Sequence, residues 1–395
     1  MIKIFYKLNN KDNLIIFIII KNIILINNFL CDNMSKEEDM EIYLKKTLLK
    51  SYNDSNMDFN NKYKKGGSIK GNLNNQTSSL SNYYETLKKD LLLKYEDKKF
   101  EDFPTVKTIN TSYGETLEII NTEKIDFKIK ENNIKEILKC DLKLLDGIGP
   151  HKENILKTQG YNNIDQLENH PIYSKSAKKI NEKIESANFY SLFEYLKILN
   201  KQGLKYNTMM AASEIEVENL KFMDIETMGL SNVPIILIGV STIKKNKIIT
   251  KQFLQRCGKE EPAIIEAYLS TLDSDSVHVS YNGARFDIPF IRNRADYFNI
   301  KYSKHLNYDL LYNSRYLYRN KLKNCKLQSV ESYICKFERL NDVPGQYIPG
   351  YYKTYVETGN IGPLIPIIKH NQLDITSLAR IFLQIYEEIN DKLNY

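Results

Sequence analysis

Residues 222–227, Phe-Met-Asp-Ile-Glu-Thr, end an apolar stretch with two carboxylates one residue apart, and the turn-forming stretch 228–232, Met-Gly-Leu-Ser-Asn, follows at once. In a strand, residues two apart project from the same face, so Asp224 and Glu226 would lie side by side. Two like charges held together cost free energy unless a divalent cation such as Mg²⁺ or Mn²⁺ lies between them, because hard cations bind carboxylate oxygens. Alone, the pattern favours an exposed pair at a sheet edge, and the later motifs reverse that preference.

Composition sets broad limits on the fold and function. The chain has 395 residues, enough for two or three domains. Its 56 Lys and Arg against 49 Asp and Glu give a formal charge of +7, which is compatible with nucleic-acid binding. The five cysteines lie far apart without a C-x-x-C pair, so neither a disulfide framework nor a zinc site is expected. A reducing cytoplasm is the predicted location.

The N-terminal third shows few signs of a folded domain. Residues 1–33 are apolar but broken by Lys and Asn, whereas a spanning helix needs about 20 mostly apolar residues. We interpret them as a leader upstream of the true start at Met34, with a membrane anchor as the alternative. Residues 34–116 are predicted to be mostly disordered or linker with short helices, because Ser51–Tyr83 is dominated by polar residues and Gly. One short helix is predicted over Tyr84–Glu96.

Residues 131–199 form the next organised region, centred on Leu-Leu-Asp-Gly-Ile-Gly-Pro-His-Lys at 144–152. A Gly-hydrophobic-Gly turn between two short helices lets backbone N–H groups at the second helix face a phosphate. This pattern resembles a helix-hairpin-helix module, which implies contacts of Gly147, Gly149 and Lys152 with a nucleic-acid backbone. Glu153 replaces the small residue usual at its position, and its charge would disfavour a nearby phosphate. A hairpin used only for packing or protein contacts is the alternative.

Residues 218–395 show the alternating pattern of an α/β domain. Five strands are predicted, and short turns make the first three an antiparallel meander: Leu220–Glu226, Ile235–Ile243, Ile248–Leu254, Val277–Tyr281 and His305–Leu311. After the fourth strand, Pro289 suits the first turn of a helix and puts Asp287 at or near its N-cap. A carboxylate at such a junction suits an active-site ligand, although capping alone would also explain it.

The last helix carries a stripe of apolar residues at helical spacing, which predicts its core-facing side: Leu378, Ile381, Phe382, Ile385 and Ile389. Four-residue steps back along this face lead to Asp374 and His370, so both side chains are predicted to point inward. Burying an unpaired carboxylate is expensive, so a metal or a charge partner is implied. The alternative is a protruding helix with both residues in water at its first turn.

Three blocks taken together, 224–227, 281–289 and 370–374, resemble the exonuclease motifs of the DEDD ribonuclease-H-like superfamily. Within it, the chain is most similar to the YprB-like ribonuclease-H-like domain. The likeness extends through further short blocks: Asp309-Leu310, Asn324–Leu327 with Val330-Glu331, and Asp342–Pro344 with Ile348–Tyr352. The resemblance implies an α/β fold with a mixed five-stranded sheet flanked by helices over residues 218–395, behind the small all-α hairpin region.

The resemblance also implies a hydrolase that cleaves phosphodiester bonds with two Mg²⁺ or Mn²⁺ ions. It assigns Asp224 to both ions, Glu226 and Asp374 to the water-activating ion and Asp287 to the leaving-group ion. His370 would orient or deprotonate the attacking water. Superfamily members carry either a Tyr separated from the last Asp by three residues or a His separated from it by four. His370 is separated from Asp374 by three residues, which is the tyrosine spacing. The role of the superfamily residue therefore carries over to His370 less directly.

Asp309 is a spare carboxylate that could replace one of the four or support them from behind. Asn282 is predicted to help place the substrate strand, or only to hold its turn. Tyr351 and Tyr352, with Tyr347 and Tyr355 nearby, could stack unpaired bases, although ordinary packing is at least as consistent with them.

The favoured function is a 3′–5′ exonuclease on single-stranded nucleic acid, with DNA preferred because of the hairpin module. The alternatives are a structure-selective endonuclease, which shares the same site, and a non-catalytic nucleic-acid-binding scaffold, which the presence of all four carboxylates argues against. Neither membrane contact nor a small-molecule cofactor is expected.

Overall fold

The computed structural model describes residues 73–127, 134–199, 216–339 and 342–393. The proposed leader at 1–33 and the first part of the predicted linker, up to residue 72, lie outside the described residues. None of the described helices combines the length and the apolar character needed to cross a membrane.

A seven-stranded mixed sheet forms the centre of the fold. Its strands are β1 (Val106–Thr111), β2 (Gly114–Lys124), β3 (Leu220–Thr227), β4 (Ile235–Lys244), β5 (Lys247–Leu254), β6 (Val277–Ser280) and β7 (Leu306–Asp309). The spatial order is β1-β2-β5-β4-β3-β6-β7. Along this spatial order, each pair of neighbours among the first five strands is antiparallel. Strand β6 pairs parallel with both β3 and β7. The strands β3 to β7 confirm the five predicted strands to within a few residues.

The five strands predicted for residues 218–395 are all present, and β1 and β2, which precede that domain, extend the sheet to seven strands. This stretch was expected to be irregular as far as Leu117. In the structure β2 pairs with β5 over eight residues, from Leu117 with Leu254 to Lys124 with Lys247. Leu117 and Ile119 are buried in the core. The partner strand lies more than a hundred residues away, so no local sequence pattern predicts this pairing.

Helices flank the sheet. They are α1 (Leu73–Lys94), α2 (Ile134–Lys139), α3 (Pro150–Thr158), α4 (Ile164–Leu167), α5 (Ser174–Ser186), α6 (Phe189–Leu199), α7 (Glu261–Leu269), α8 (Asp287–Tyr297), α9 (Leu310–Tyr318), α10 (Leu327–Val330), α11 (Ile348–Thr358) and α12 (Leu364–Leu393). A π-helical turn, Glu331–Cys335, continues α10.

Helix α1 corrects the prediction of disorder, since residues 73–83 are helical. The Tyr351 hydroxyl donates to the Tyr84 carbonyl at 2.7 Å, and Asn360 Nδ2 donates to the Leu92 carbonyl at 2.8 Å. Docking of this kind stabilises a helix whose own composition gives it little propensity. The polar composition therefore predicted the wrong state because it ignored tertiary contacts.

Helix α12 places the third motif against the sheet. Four residues of its predicted apolar stripe are buried, which confirms the orientation; the side chain of Ile389 lies outside the described residues. Phe382 packs edge-on against Phe222 of β3, with ring centroids 5.7 Å apart. Because α12 begins at Leu364, His370 and Asp374 lie inside the helix and not at its first turn.

Candidate active site

Three elements bring four carboxylates together. Asp224 and Glu226 come from the end of β3, Asp287 is the first residue of α8, and Asp374 lies on α12. The Ile225 N–H donates to Asp287 Oδ1 at 3.2 Å, which ties the start of α8 to β3. Glu226 and Asp287 are buried. The structure therefore brings the four carboxylates together, and Asp374 points inward as its helix pattern predicted.

The cluster is electrostatically strained. Burial, followed by the charges of the neighbouring carboxylates, raises the pKa of Asp224 well above its ordinary value. Burial likewise raises the pKa of Glu226 to about 8, against the lowering effect of His370. It raises the pKa of Asp287 to about 7, against backbone hydrogen bonds that lower it. A divalent cation would relieve this repulsion, so the donor set fits a hard metal ion.

His370 faces the same cluster. Its Nδ1 hydrogen-bonds Asp342 Oδ1 at 2.7 Å, while its Nε2 lies 3.7 Å from Asp374 Oδ2 and 4.0 Å from Glu226 Oε1. One ligand atom from each of Glu226, His370 and Asp374 lies within 4.8 Å of the others. Burial lowers the pKa of His370, but the Asp342 hydrogen bond and the nearby carboxylates outweigh it and raise the pKa to about 9. These carboxylates therefore favour the protonated imidazole.

Arg339 supplies a buried positive charge. Its Nη2 lies 2.6 Å from Asp374 Oδ1, while its Nε and Nη1 donate to Glu331 and Asp342 at 2.8 and 3.1 Å. One guanidinium thus shares its charge among three carboxylates, and burial is outweighed by them so that its pKa is raised. Sequence reasoning missed Arg339, and it noted Asp342 only as part of a resembling block.

Asn371 was noted only as part of the third motif block, and its role was not predicted from the sequence. It is fully buried, and its Nδ2 donates to Asp224 Oδ2 at 2.9 Å and to the Asp224 carbonyl at 3.2 Å. Its Oδ1 accepts a hydrogen bond from Gln252 Nε2 at 2.9 Å. A Cβ at Gly239 of β4 would overlap that oxygen, so only glycine fits there. The position of Asn371 between His370 and Asp374 was the available sequence signal, but the residues that it contacts lie on distant strands.

Residues 221–386 match the family model of the RNase_H superfamily. Residues 221–386 form an RNase H-like domain. The chain is also 28% identical over 207 residues to the uncharacterized protein YprB of Bacillus subtilis (strain 168), covering 51% of this chain and 49% of YprB. The chain thus spans about half the length of this curated relative. The domain is YprB-like, and the mixed sheet flanked by helices confirms the predicted fold.

The four carboxylates of the candidate site all lie within the residues that match the RNase_H superfamily. RNase H-like domains generally use divalent metals, and the acidic cluster agrees with that use.

In the RNase H-like domain, Asp309 holds a turn beside the cluster. Its carboxylate accepts N–H groups of Asn282, Ala284 and Leu311 at 2.8, 3.3 and 3.1 Å. Asn282 has a left-handed backbone with φ of 67°, which this carboxylate stabilises. Both oxygens of Asp309 are thus engaged by backbone, which favours support of the site over metal binding. The predicted contact of Asn282 with the substrate strand stays a prediction.

The prediction that Tyr351 and Tyr352 stack on bases is wrong. Residues 348–358 form helix α11, and these two side chains are only 1% and 3% exposed because they face the core. Their hydroxyls donate to the carbonyls of Tyr84 and Gln255. Tyr355 is also buried, whereas Tyr347 is partly exposed and packs on Tyr84 with ring centroids 4.5 Å apart.

The two glycines of the predicted hairpin lie in an exposed turn before α3. Gly147 has φ of +79°, Gly149 is the N-cap of α3, and both lie at the surface with Lys152. Glu153 turns inward, where its carboxylate accepts the Leu142 N–H at 3.2 Å and pairs with Lys143 Nζ at 2.6 Å. The expected repulsion of a phosphate by Glu153 is therefore reduced, since its charge is partnered inside the hairpin. Contact of the hairpin with nucleic acid stays a proposal.

Proposed function

We propose that the protein is a metal-dependent nuclease that hydrolyses phosphodiester bonds, acting as a 3′–5′ exonuclease on single-stranded nucleic acid. The observation that carries the proposal is the convergence of four carboxylates whose mutual repulsion is only partly offset by Arg339. An arrangement of this kind costs stability unless cations occupy it, and clusters of perturbed pKa values are typical of catalytic sites. The exonuclease assignment is supported by the order and spacing of the three motifs, and the DNA preference by the hairpin.

The four carboxylates would hold two Mg²⁺ or Mn²⁺ ions, with Asp224 shared, Glu226 and Asp374 on one ion and Asp287 on the other. Their ligand atoms are oxygens, which these hard cations prefer over imidazole nitrogen. When bound, the ions would neutralise charge on the transferring phosphate and lower the pKa of the attacking water.

The protein side chains around the ligands have separate tasks. Asp342 binds Nδ1 of His370 and so directs Nε2 toward Glu226 and Asp374, where the imidazole would orient or deprotonate the attacking water. Asn371 fixes the carboxylate of Asp224 through its Nδ2. Arg339 holds Asp374 in place. Each task is positional, and misplacement of a catalytic group by about 1 Å can cost on the order of 100-fold in rate.

End-labelled single- and double-stranded DNA and RNA, incubated with the purified protein in Mg²⁺, Mn²⁺ or EDTA, would test the proposal. We expect shortening from the 3′ end of single strands with either metal and none in EDTA. Asp224→Asn should abolish cleavage because it removes the shared ligand. Asp296→Asn, an exposed carboxylate on α8, is the matched control and should leave cleavage unchanged. Degradation that persists in Asp224→Asn or in EDTA would rule out the mechanism, and internal cuts would favour the endonuclease.

A further inference from the structure

A cleft of about 570 Å³ opens beside the carboxylate cluster, between α1 and the segment that follows α10. Its lining includes Tyr83 and Tyr84 of α1 together with Phe337, Arg339 and Asp342. The tyrosines lie outside residues 221–386, so this side of the cleft is contributed by a part of the chain that precedes the RNase H-like domain.

The cleft shares two residues with the candidate active site. Asp342 hydrogen-bonds His370 at 2.7 Å, and Arg339 lies 2.6 Å from Asp374. A group bound in the cleft is therefore separated from the carboxylates by a single layer of side chains. A nucleotide next to one held at the carboxylates would therefore lie beside the cleft.

Helix α1 presents its tyrosines on a rigid support. Its Leu91 carbonyl approaches Gly362 so closely that a Cβ there would overlap it, and its Leu92 carbonyl accepts from Asn360 at 2.8 Å. The Tyr84 ring packs against Tyr347, and the Tyr83 ring meets Tyr84 edge-on with centroids 5.2 Å apart. Tyr83 remains 49% exposed, so its ring is accessible to a ligand.

The charges of the cleft favour a neutral, planar ligand over a phosphate. The positive charge of Arg339 is shared by Glu331, Asp342 and Asp374, and Glu338 adds an exposed negative charge to the lining. A phosphate would meet net negative potential here. A nucleobase carries no charge and stacks on aromatic side chains whatever its sequence.

Resting on the proposed nuclease function, we infer that this cleft binds an unpaired nucleobase of the substrate strand, stacked on Tyr83, next to the nucleotide held at the carboxylates. The shared chemistry is a base of single-stranded DNA or RNA. The cleft would then favour single strands, because a base held in a duplex could not enter it.

Fluorescence anisotropy of a labelled oligothymidylate would test the inference in the Asp224→Asn background, in which nothing is cut. We expect Tyr83→Ala to weaken binding by roughly 5- to 100-fold, the range for loss of one stacked base. Tyr83→Phe should keep wild-type affinity because it keeps the ring. Tyr113→Ala, which removes an exposed tyrosine from the β1–β2 turn, is the matched control and should change nothing. An oligouridylate of the same length would show whether the protein binds DNA or RNA more tightly.

Abasic substitution near the 3′ end identifies the bound base. One abasic position should weaken binding to the protein with Tyr83 intact and add no further loss in Tyr83→Ala. Equal affinities of Tyr83→Ala and Tyr113→Ala, or fully additive losses at every abasic position, would overturn the inference. The proposed nuclease function fails separately, if the wild-type protein cleaves nothing while the Tyr83 effect on binding persists. Absence of any nucleic-acid binding would overturn both.

Discussion

At the scale of single residues, Asn371 fixes the position of Asp224. Its amide is fully buried and donates twice to Asp224, while its oxygen accepts from Gln252 across the sheet. Gly239 leaves just enough room for this amide. The first motif of the site therefore depends on a residue of the third motif and on a glycine of β4.

Gly239→Ala should displace Asn371 and release the carboxylate of Asp224. Because Gln252 and the core leave the amide no room to move, we expect a loss of about 1–3 kcal/mol in the free energy of unfolding. Nuclease turnover should fall with it. Urea unfolding and the cleavage assay measure the two effects. Gly350→Ala in α11 is the matched control, since a Cβ there meets nothing within 4 Å. Wild-type stability and turnover in Gly239→Ala would contradict this role.

His370→Ala should reduce turnover by roughly 10²–10⁴-fold, the usual size of a general-base contribution. Metal affinity should change little, because the imidazole is the poorer ligand for Mg²⁺. His370→Tyr should restore part of the rate, since Tyr at this spacing is what the resemblance to the superfamily implies. Calorimetric metal titration checks the second point. If His370→Ala loses an ion, the residue belongs among the ligands.

At the scale of elements, the turn before α3 is built to expose backbone. Gly147 is left-handed, Gly149 caps the helix and nothing lies within 4 Å of a Cβ at either position. Glu153 points inward and pairs with Lys143, so its negative charge is partnered and does not face the solvent. This geometry suits close approach of a phosphate to the helix N-terminus.

Gly147→Val should weaken binding of long nucleic acids while leaving cleavage of very short substrates nearly intact. Valine would block the approach of a phosphate to the backbone, far from the carboxylates. It also introduces backbone strain, so Gly160→Val is the matched control: Gly160 has a φ of +96° after the other end of α3, with equally open surroundings. Binding and circular dichroism of both variants separate the effects. Equal affinity of the two variants for long substrates would assign the turn to packing or protein contacts.

At the scale of the whole molecule, the carboxylate cluster links stability to pH. Burial raises the pKa of Glu226 from 4.5 to about 8 and that of Asp287 from 3.8 to about 7. A carboxyl with a raised pKa contributes stability that is fully present below its unfolded value and is lost as the pH rises through its folded value. The raised pKa of His370, about 9, acts in the same direction from about pH 6.5 upward. The metal-free protein should therefore lose stability between about pH 4 and pH 9.

Mg²⁺ should offset this loss, because it binds the charged carboxylates and replaces the protons they would otherwise take up. We expect the increase in Tm on replacing EDTA with MgCl₂ to be larger at about pH 8.5 than at about pH 6. Thermal unfolding under the four conditions measures it. Asp224→Asn should shrink the increase at the higher pH, whereas Asp296→Asn should not. An equal increase in Tm at both pH values in the wild-type protein would contradict a linked metal site.

Local periodicity was enough to predict several elements of the fold. Alternation in 222–227 placed Asp224 and Glu226 on one face of a strand, and the 3.6-residue stripe of the last helix turned His370 and Asp374 inward. Five strands followed from such patterns, and the RNase H-like fold was implied by the resemblance of the three motif blocks. Each depends on residues close together in the chain, so the chain alone carries the information.

Features that depend on partners far along the chain could not be predicted from local patterns. Strands β1 and β2 exist because β5 offers an edge, and α1 because Tyr351 and Asn360 bind its carbonyls. The burial of Tyr352 excluded its predicted contact with bases. The roles of Asn371 and Arg339 arise from hydrogen bonds and charges that meet across separate elements. Such contacts depend on how the elements pack, and no local pattern records which side chains will face one another.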